Sequence, residues 1–258
     1  MLKFDKTTTR LLDDAYAGAD ITRRRRASYD AVEPHAGEIV LDLGCGNGML
    51  TLELSRGVGP EGRVVALDPS ADMLKSARDR CTGRDNIAFL EARAEATGLP
   101  DASVDKAVSL QVFEYLKDLD QPLSELARVL KPGGRLVIGD MHWDSLIWHS
   151  TDPDRMAEMV RVWDRHLTRR TVPETLPAHL RRAGFLPVRA IPVPFLDTDL
   201  RPDGLASMMI RLMESYALQN HLLDPKVVEA WVEEQAELAR NGEFFMHLLH
   251  VVWIAVKA

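Results

Sequence analysis

The 258-residue sequence contains only two cysteines, Cys45 and Cys81. Two cysteines cannot build a disulfide framework or a cysteine-rich zinc site, so we expect a reducing compartment and no bound metal. No uncharged apolar run approaches the roughly 20 residues that cross a bilayer, and the first residues lack the apolar core of a signal peptide. These absences predict a cytoplasmic protein that is not associated with a membrane.

An excess of positive charge is also missing. Lysine and arginine together number 32 against 39 acidic residues, which gives a formal net charge of -7. Proteins that neutralise the phosphates of nucleic acids present basic surfaces, so this balance argues against a nucleic-acid partner. A small-molecule partner fits better, and we expect a monomer or a homodimer.

Short apolar segments alternate with helical patterns between residues 38 and 140. The segments are rich in β-branched residues, as is typical of parallel strands buried on both faces. Strands separated by helices form βαβ units, which predicts an α/β protein with a Rossmann-like, doubly wound, mostly parallel sheet. The predicted strands are 39–43, 63–67, 87–90, 106–110 and 135–139, with further strands at 186–193 and 244–256.

The most informative string is Val-Leu-Asp-Leu-Gly-Cys-Gly-Asn-Gly at residues 40–48, a strand that runs into a glycine-rich turn. A dinucleotide fingerprint would place Gly or Ala where this chain has Met49, which disfavours NAD. Asp42 would repel a diphosphate but could pair with an ammonium group. Asp68 ends the second strand, where an acid can accept both ribose hydroxyls of an adenosine, and Pro69 and Met73 could contact its adenine face.

These motifs, with the strings EARAEATGLPDASVD and SLQVFEYLKDLDQPLSELARVLKPGG, resemble the class I S-adenosylmethionine-dependent methyltransferases over residues 37–140. The resemblance implies the strand order 3-2-1-4-5-7-6 with the last strand antiparallel. It also implies one domain over residues 1–258, with a helical cap at 1–36, a cofactor-binding half at 37–140, and a substrate-side half at 141–258 that contains a helical insertion at 198–242.

The resemblance also implies a set of contacts to S-adenosylmethionine. Asp42, Gly44 and Gly46 would hold its methionine end, and Asp68 its ribose. Arg93 and Ala94 would lie at the adenine edge, although an arginine at this position cannot accept a hydrogen bond. Gln111 and Val112 would lie beside the sulfonium. From the cap, Tyr16 and Arg25 would approach the cofactor carboxylate, with a solvated helix face as the alternative for Arg25.

Open α/β sheets bind ligands beyond the carboxyl ends of their strands, which places the methyl acceptor after strands four and five. His142 is the candidate general base, because its ordinary pKa suits proton transfer near neutral pH. The predicted substrate contacts are Tyr115, Trp143, Met209 and Met213, with core packing as the alternative for the tryptophan and the methionines. We expect methyl transfer to a natural-product or quinone-like metabolite, with O-methylation preferred to C- or N-methylation.

Two other functions remain compatible with these residues. A cyclase, or another protein that binds S-adenosylmethionine without transferring its methyl group, would show the same cofactor motifs. A nicotinamide-dependent oxidoreductase is the second alternative, disfavoured by Met49.

Overall fold

The computed structural model describes residues 18–258, which form one mixed sheet with helices on both faces. Its seven strands are β1 (Ile39–Leu43), β2 (Arg63–Asp68), β3 (Ile87–Glu91), β4 (Val104–Leu110), β5 (Leu130–Trp148), β6 (Phe185–Asp197) and β7 (Met246–Lys257). The helices of residues 18–258 are α1 (Ala19–Val32), α2 (Met49–Gly57), α3 (Ala71–Arg80), α4 (Asp120–Val129), α5 (Pro153–Asp164), α6 (Val172–Arg182), α7 (Leu205–Gln219) and α8 (Pro225–Asn241), with a 3-10 turn at Phe113–Tyr115.

The strand order is β3-β2-β1-β4-β5-β7-β6, and β7 is antiparallel to both of its neighbours. The predicted fold class is therefore confirmed. β5 is longer than predicted, because β7 provides an antiparallel partner for it as far as Trp148, well beyond the parallel part of the sheet. β6 is likewise longer than the segment 186–193 that its sequence pattern indicated.

Alternation along the strands builds two hydrophobic layers. Val40 faces the layer that contains α1, α7 and α8, whereas Leu41 faces the layer that contains α4 and α6. Successive strand residues point to opposite faces, and both faces are covered by helices, so each strand reads as a continuous apolar run. This arrangement leaves the carboxyl ends of the parallel strands as the place where polar side chains gather.

Helix α1 is tied directly to the helices between β6 and β7. Asp20 of α1 accepts a hydrogen bond from the backbone N–H of Leu205 at 2.9 Å, and so caps the start of α7. The same carboxylate pairs with Arg201 at 2.8 Å. A negative charge at a helix N-terminus interacts favourably with the helix dipole, so this contact stabilises the junction of α1 and α7.

None of the helices in residues 18–258 combines the length and apolar character needed to span a bilayer.

Candidate cofactor and acceptor site

A cavity of about 440 Å³ lies at the carboxyl ends of β1, β2 and β4. Its volume is within the range usual for small-ligand sites. All of the predicted cofactor residues except Tyr16 line it, and Tyr16 lies outside the described residues. The lining includes Arg25, Asp42, Gly44, Gly46, Asp68, Pro69, Met73, Arg93, Ala94, Gln111 and Val112.

The loop after β1 requires glycine at its first turn. Gly44 adopts a φ of +75°, a conformation that side chains disfavour, and a Cβ atom there would overlap the side chain of Val112. The backbone N–H groups of Gly44 and Cys45 both donate to the carbonyl of Leu67, at 2.7 and 2.9 Å. The loop is therefore folded back against the end of β2, and its backbone forms one wall of the cavity.

Asp42 is a buried carboxylate on this wall. It is 2% exposed, and its Oδ2 accepts a hydrogen bond from the Thr51 hydroxyl at 2.6 Å. Burial raises the pKa of Asp42 to about 7; the Thr51 hydrogen bond offsets part of this effect, and the nearby Asp68 adds a smaller upward contribution. A cationic ligand group beside Asp42 would favour its ionised form, so the site is suited to a ligand with an ammonium group.

Asp68 is held in place by the backbone on both sides. Its Oδ2 accepts from the N–H of Gly46 at 3.0 Å, and its Oδ1 accepts from the N–H of Ser70 at 2.9 Å. Burial raises the pKa of Asp68, and these two backbone hydrogen bonds act in the opposite direction. Each carboxylate oxygen can accept a second hydrogen bond, so Asp68 can still bind two hydroxyl groups of a ligand.

The side chains predicted to contact the adenine and the carboxylate of the cofactor differ in how exposed they are. Ala94 is buried, whereas the Arg93 side chain is 76% exposed and lies 3.6 Å from Glu95. The Arg25 side chain is 12% exposed, and its Nε donates to Glu53 at 2.8 Å.

Arg24, rather than its neighbour Arg25, is the buried arginine of α1, at 4% exposure, and it also lines the cavity. The run of four arginines in the sequence gave no reason to select it. Helical spacing could nevertheless have identified it. Arg24 lies on the same helix face as three buried residues, at spacings of three and four: Ile21, Ser28 and Ala31.

Beyond β4, Gln111 occupies a strained position. Its φ is +55°, and its backbone N–H donates to the carbonyl of Gly139 at 2.7 Å. Its side-chain oxygen accepts from Arg24, and its amide nitrogen donates to Glu114 Oε1 at 3.2 Å. A left-handed conformation in a residue other than glycine persists only where its surroundings enforce it, and such positions cluster at functional sites.

Glu114 is fully buried behind Gln111. Its Oε2 accepts from the indole N–H of Trp143 at 3.0 Å, and its backbone N–H donates to Asp140 at 3.3 Å. Burial raises the pKa of both carboxyl groups, and the charge of Glu114 raises that of Asp140 further. Glu114 and Asp140 follow the predicted strands four and five in the sequence, but nothing local indicates that they meet.

The structure divides the predicted acceptor residues. Tyr115 lines the cavity with the cofactor residues. Met209 and Met213 are each 1% exposed in the hydrophobic core, and Trp143 is 4% exposed behind Glu114, so these three show the core packing that the sequence also allowed. His142 does not line the cavity, and its Nε2 lies 2.6 Å from Glu174.

A larger cavity, of about 790 Å³, lies elsewhere in the described part of the chain, beside α5. Trp148, Met156 and Phe245 are among its mostly apolar lining residues, and it shares no residue with the cofactor cavity. We assign the chemistry to the smaller cavity, because the convergent polar groups and the buried acids with raised pKa values are there.

Residues 41–138 match the model of the methyltransferase domain family. This match confirms the predicted class, an S-adenosylmethionine-dependent methyltransferase domain, for the residues that it covers.

Two curated relatives extend the comparison at the sequence level. The chain is 36% identical over 160 residues to an uncharacterised 37.1 kDa protein of a Streptomyces fradiae transposon, a match that covers 62% of this chain and 45% of the relative. It is 42% identical over 117 residues to the ubiquinone/menaquinone biosynthesis C-methyltransferase UbiE of Hahella chejuensis, covering 44% of this chain and 47% of the relative. The chain thus spans about half the length of these curated relatives.

The fold also matches solved structures. An S-adenosylmethionine-dependent methyltransferase from Aquifex aeolicus superposes with a TM-score of 0.58 at 26% identity, covering 73% of this chain and 93% of that one. The architecture of residues 18–258 is therefore that of the class I methyltransferases.

Proposed function

We propose that this protein transfers the methyl group of S-adenosylmethionine to a small-molecule acceptor of the natural-product or quinone type. The observation that supports this best is the cavity in which Asp42, the glycine loop, Asp68 and Gln111 converge. The cofactor supplies a methyl carbon that is already activated by a positive sulfur. The protein then contributes alignment of the acceptor and exclusion of water.

Each wall of the cavity has a role in this proposal. Asp42 lies where it would attract the ammonium group of the cofactor, and the turn at Gly44 lets the backbone approach the methionine moiety. Asp68 would accept the ribose hydroxyls with the lone pairs that its backbone contacts leave available. Ala94 and Met73, both buried, offer apolar contact to a flat adenine ring.

Carbon is our proposed methyl-accepting atom. The relatives described above give no support for the O-methylation that the sequence favoured. The Hahella relative is named as a C-methyltransferase of ubiquinone and menaquinone biosynthesis. The similarity to this relative covers 44% of the chain, so the acceptor class is our inference for this protein.

Calorimetric titration with S-adenosylhomocysteine and, separately, with NADH tests the cofactor. We expect binding of the first and none of the second. Asp68→Asn should weaken S-adenosylhomocysteine binding by about 1 to 3 kcal/mol through lost hydrogen bonds to the ribose. Asp85→Asn is the matched control, because Asp85 is exposed and does not line the cavity. Binding of NADH alone would refute the proposal.

Turnover is tested by incubation with methyl-labelled S-adenosylmethionine and an extract of small metabolites. Formation of S-adenosylhomocysteine together with a labelled product is the expected result. Cofactor binding with no labelled product from any extract would favour a cyclase or another non-methylating function.

A further inference from the structure

Gln111 contributes a side-chain amide to the wall of the cavity. Its carbonyl oxygen accepts a hydrogen bond from the guanidinium of Arg24, and its amide nitrogen donates to Glu114 Oε1 at 3.2 Å. A guanidinium donates hydrogen bonds but cannot accept them, so the amide oxygen must face Arg24 and the amide nitrogen must face Glu114. The orientation of this amide is therefore fixed from two sides.

The groups that hold Gln111 are themselves held in place. Arg24 on α1 is 4% exposed, and Glu114 is fully buried, with its second oxygen accepting from the Trp143 indole at 3.0 Å. The backbone N–H of Gln111 donates to the carbonyl of Gly139 on β5 at 2.7 Å. A side chain fixed in this way loses little freedom when it binds a ligand, so its remaining hydrogen-bonding group is preorganised.

That remaining group is an N–H donor. A side-chain amide carries two N–H groups, of which one donates to Glu114, and the other has no partner among residues 18–258. The hydrogen bond from Arg24 polarises the amide, and consecutive hydrogen bonds strengthen one another. Because Gln111 lines the cavity, its second N–H can donate to a molecule that binds there.

The place of Gln111 in the sheet favours an oxygen of the acceptor as its partner. Asp42 and Asp68, at the ends of β1 and β2, are assigned to the ammonium group and the ribose of the cofactor. Gln111 lies where β4 and β5 end, on the side of the sheet where the acceptor is expected. The cofactor sulfur beside it is positive and cannot accept a hydrogen bond.

We infer that the second N–H of Gln111 binds the oxygen of an ionised hydroxyl group on the acceptor, beside the ring carbon that receives the methyl group. This inference rests on the proposed methyl transfer and deepens it. It defines the acceptor as an aromatic or quinone-like ring with a hydroxyl group adjacent to the carbon that is methylated.

No protein base is needed for this transfer. The acceptor hydroxyl gives its proton to water, and Gln111 binds the oxyanion that remains. An electron pair moves from the oxyanion through the ring, and the ring carbon forms a bond to the methyl carbon. The methyl–sulfur bond breaks and leaves its pair on the now neutral sulfur. The ring hydrogen then leaves as a proton to water, and the oxyanion is restored.

The ionisation of a bound phenol tests the hydrogen bond directly. 4-Nitrophenol is yellow only when its hydroxyl is ionised, so a pH titration of its complex with the full chain and S-adenosylhomocysteine measures the pKa of the bound hydroxyl. A hydrogen bond to a charged group contributes about 10- to 100-fold in affinity. A factor of ten equals one pKa unit, so Gln111→Met should raise the pKa of bound 4-nitrophenol by about 1 to 2. A residue that only shapes the site would bind both forms equally and leave this pKa unchanged.

Turnover gives a second measurement. 2-Hydroxy-1,4-naphthoquinone is ionised at neutral pH and has a ring carbon beside its oxyanion. With this probe and labelled S-adenosylmethionine, kcat/KM should fall about 10- to 100-fold in Gln111→Met. Gln121→Met makes the same change at an exposed position that does not line the cavity, and it should alter neither measurement. Should Gln111→Met fail to fold, Gln111→Asn withdraws the same N–H by one methylene in a residue that tolerates a positive φ, and it should change both measurements in the same direction.

The other outcomes overturn the inference. An unchanged pKa of bound 4-nitrophenol in Gln111→Met would mean that the N–H does not reach the oxyanion. An unchanged pKa together with a loss of at least about 10-fold in S-adenosylhomocysteine affinity would assign the N–H to the cofactor carboxylate. If the unmodified protein binds S-adenosylhomocysteine but neither probe, the inference fails while methyl transfer to another acceptor stands. If it does not bind S-adenosylhomocysteine, the proposed function fails, and the inference fails with it.

Discussion

Replacement of Asp42 by asparagine should stabilise the protein in the absence of ligand. Asp42 is 2% exposed, and burial raises its pKa from 3.8 to about 7. Between these two pH values the folded state binds more protons than the unfolded state, so the stability of the unmodified protein falls as pH rises through this window. One pKa unit corresponds to about 1.36 kcal/mol, so the loss reaches about 4 kcal/mol above pH 7.

The substituted asparagine would keep the Thr51 hydrogen bond, because its amide oxygen can accept from the hydroxyl, and it would have no charge to desolvate. Urea unfolding at several pH values between about 4 and 8.5 measures the difference. We expect equal stability of the two proteins near pH 4 and a growing advantage of Asp42→Asn up to about pH 7. The advantage should then stay constant, at no more than about 4 kcal/mol.

The same substitution should weaken S-adenosylmethionine binding, because the ammonium group loses its counter-charge. Asp85→Asn, an exposed control, should show neither effect. A stability difference between Asp42→Asn and the unmodified protein that does not depend on pH would refute the assignment of a raised pKa to Asp42. A variant that is less stable at pH 8 than at pH 4, relative to the unmodified protein, would refute it as well.

Two further predictions follow from the glycine loop and from the contact of Glu234 on α8 with the start of α5 and the residues just before it. Gly44→Ala adds both backbone strain and overlap with Val112, so it should lower the free energy of unfolding by about 2 to 4 kcal/mol and abolish S-adenosylhomocysteine binding. Gly83→Ala is the control, because Gly83 has a similar φ of +82° but open space around it. It should lower the free energy of unfolding, measured by urea titration, by only about 1 kcal/mol. Glu234 is desolvated, but hydrogen bonds from Ser150, Arg155 and Thr151 outweigh this and lower its pKa to about 2. Ionised Glu234 therefore stabilises the folded protein above about pH 4.5, and this contribution disappears as pH falls towards 2. After allowance for solvent screening, Glu234→Gln should be less stable than the unmodified protein by about 2 kcal/mol at pH 7. The difference should vanish in acid. An undiminished difference at pH 2 would contradict that assignment.

Local sequence was sufficient for the features that depend on neighbouring residues. Apolar runs such as 39–43 predict buried strands. Ser70 directly precedes α3 and caps it by accepting from the Met73 N–H at 3.3 Å, as is typical of serine at a helix start. The ends of the strands were predicted less accurately than their positions. β5 continues to Trp148 because β7 pairs with it, and a strand cannot reveal in its own sequence how far a distant partner extends.

The string around Asp42 and the acid at Asp68 determined the class of this protein, because a cofactor that approaches the backbone needs glycines and charges at fixed spacing. Only the tertiary structure decided that Arg24 rather than Arg25 is buried, that Met209 and Met213 pack in the core, and that Gln111 of the cavity wall is hydrogen-bonded to the buried Glu114. The physical reason is the same in each case. Burial and long-range hydrogen bonds depend on which elements pack together, and that information is distributed over the whole chain rather than written at any one position.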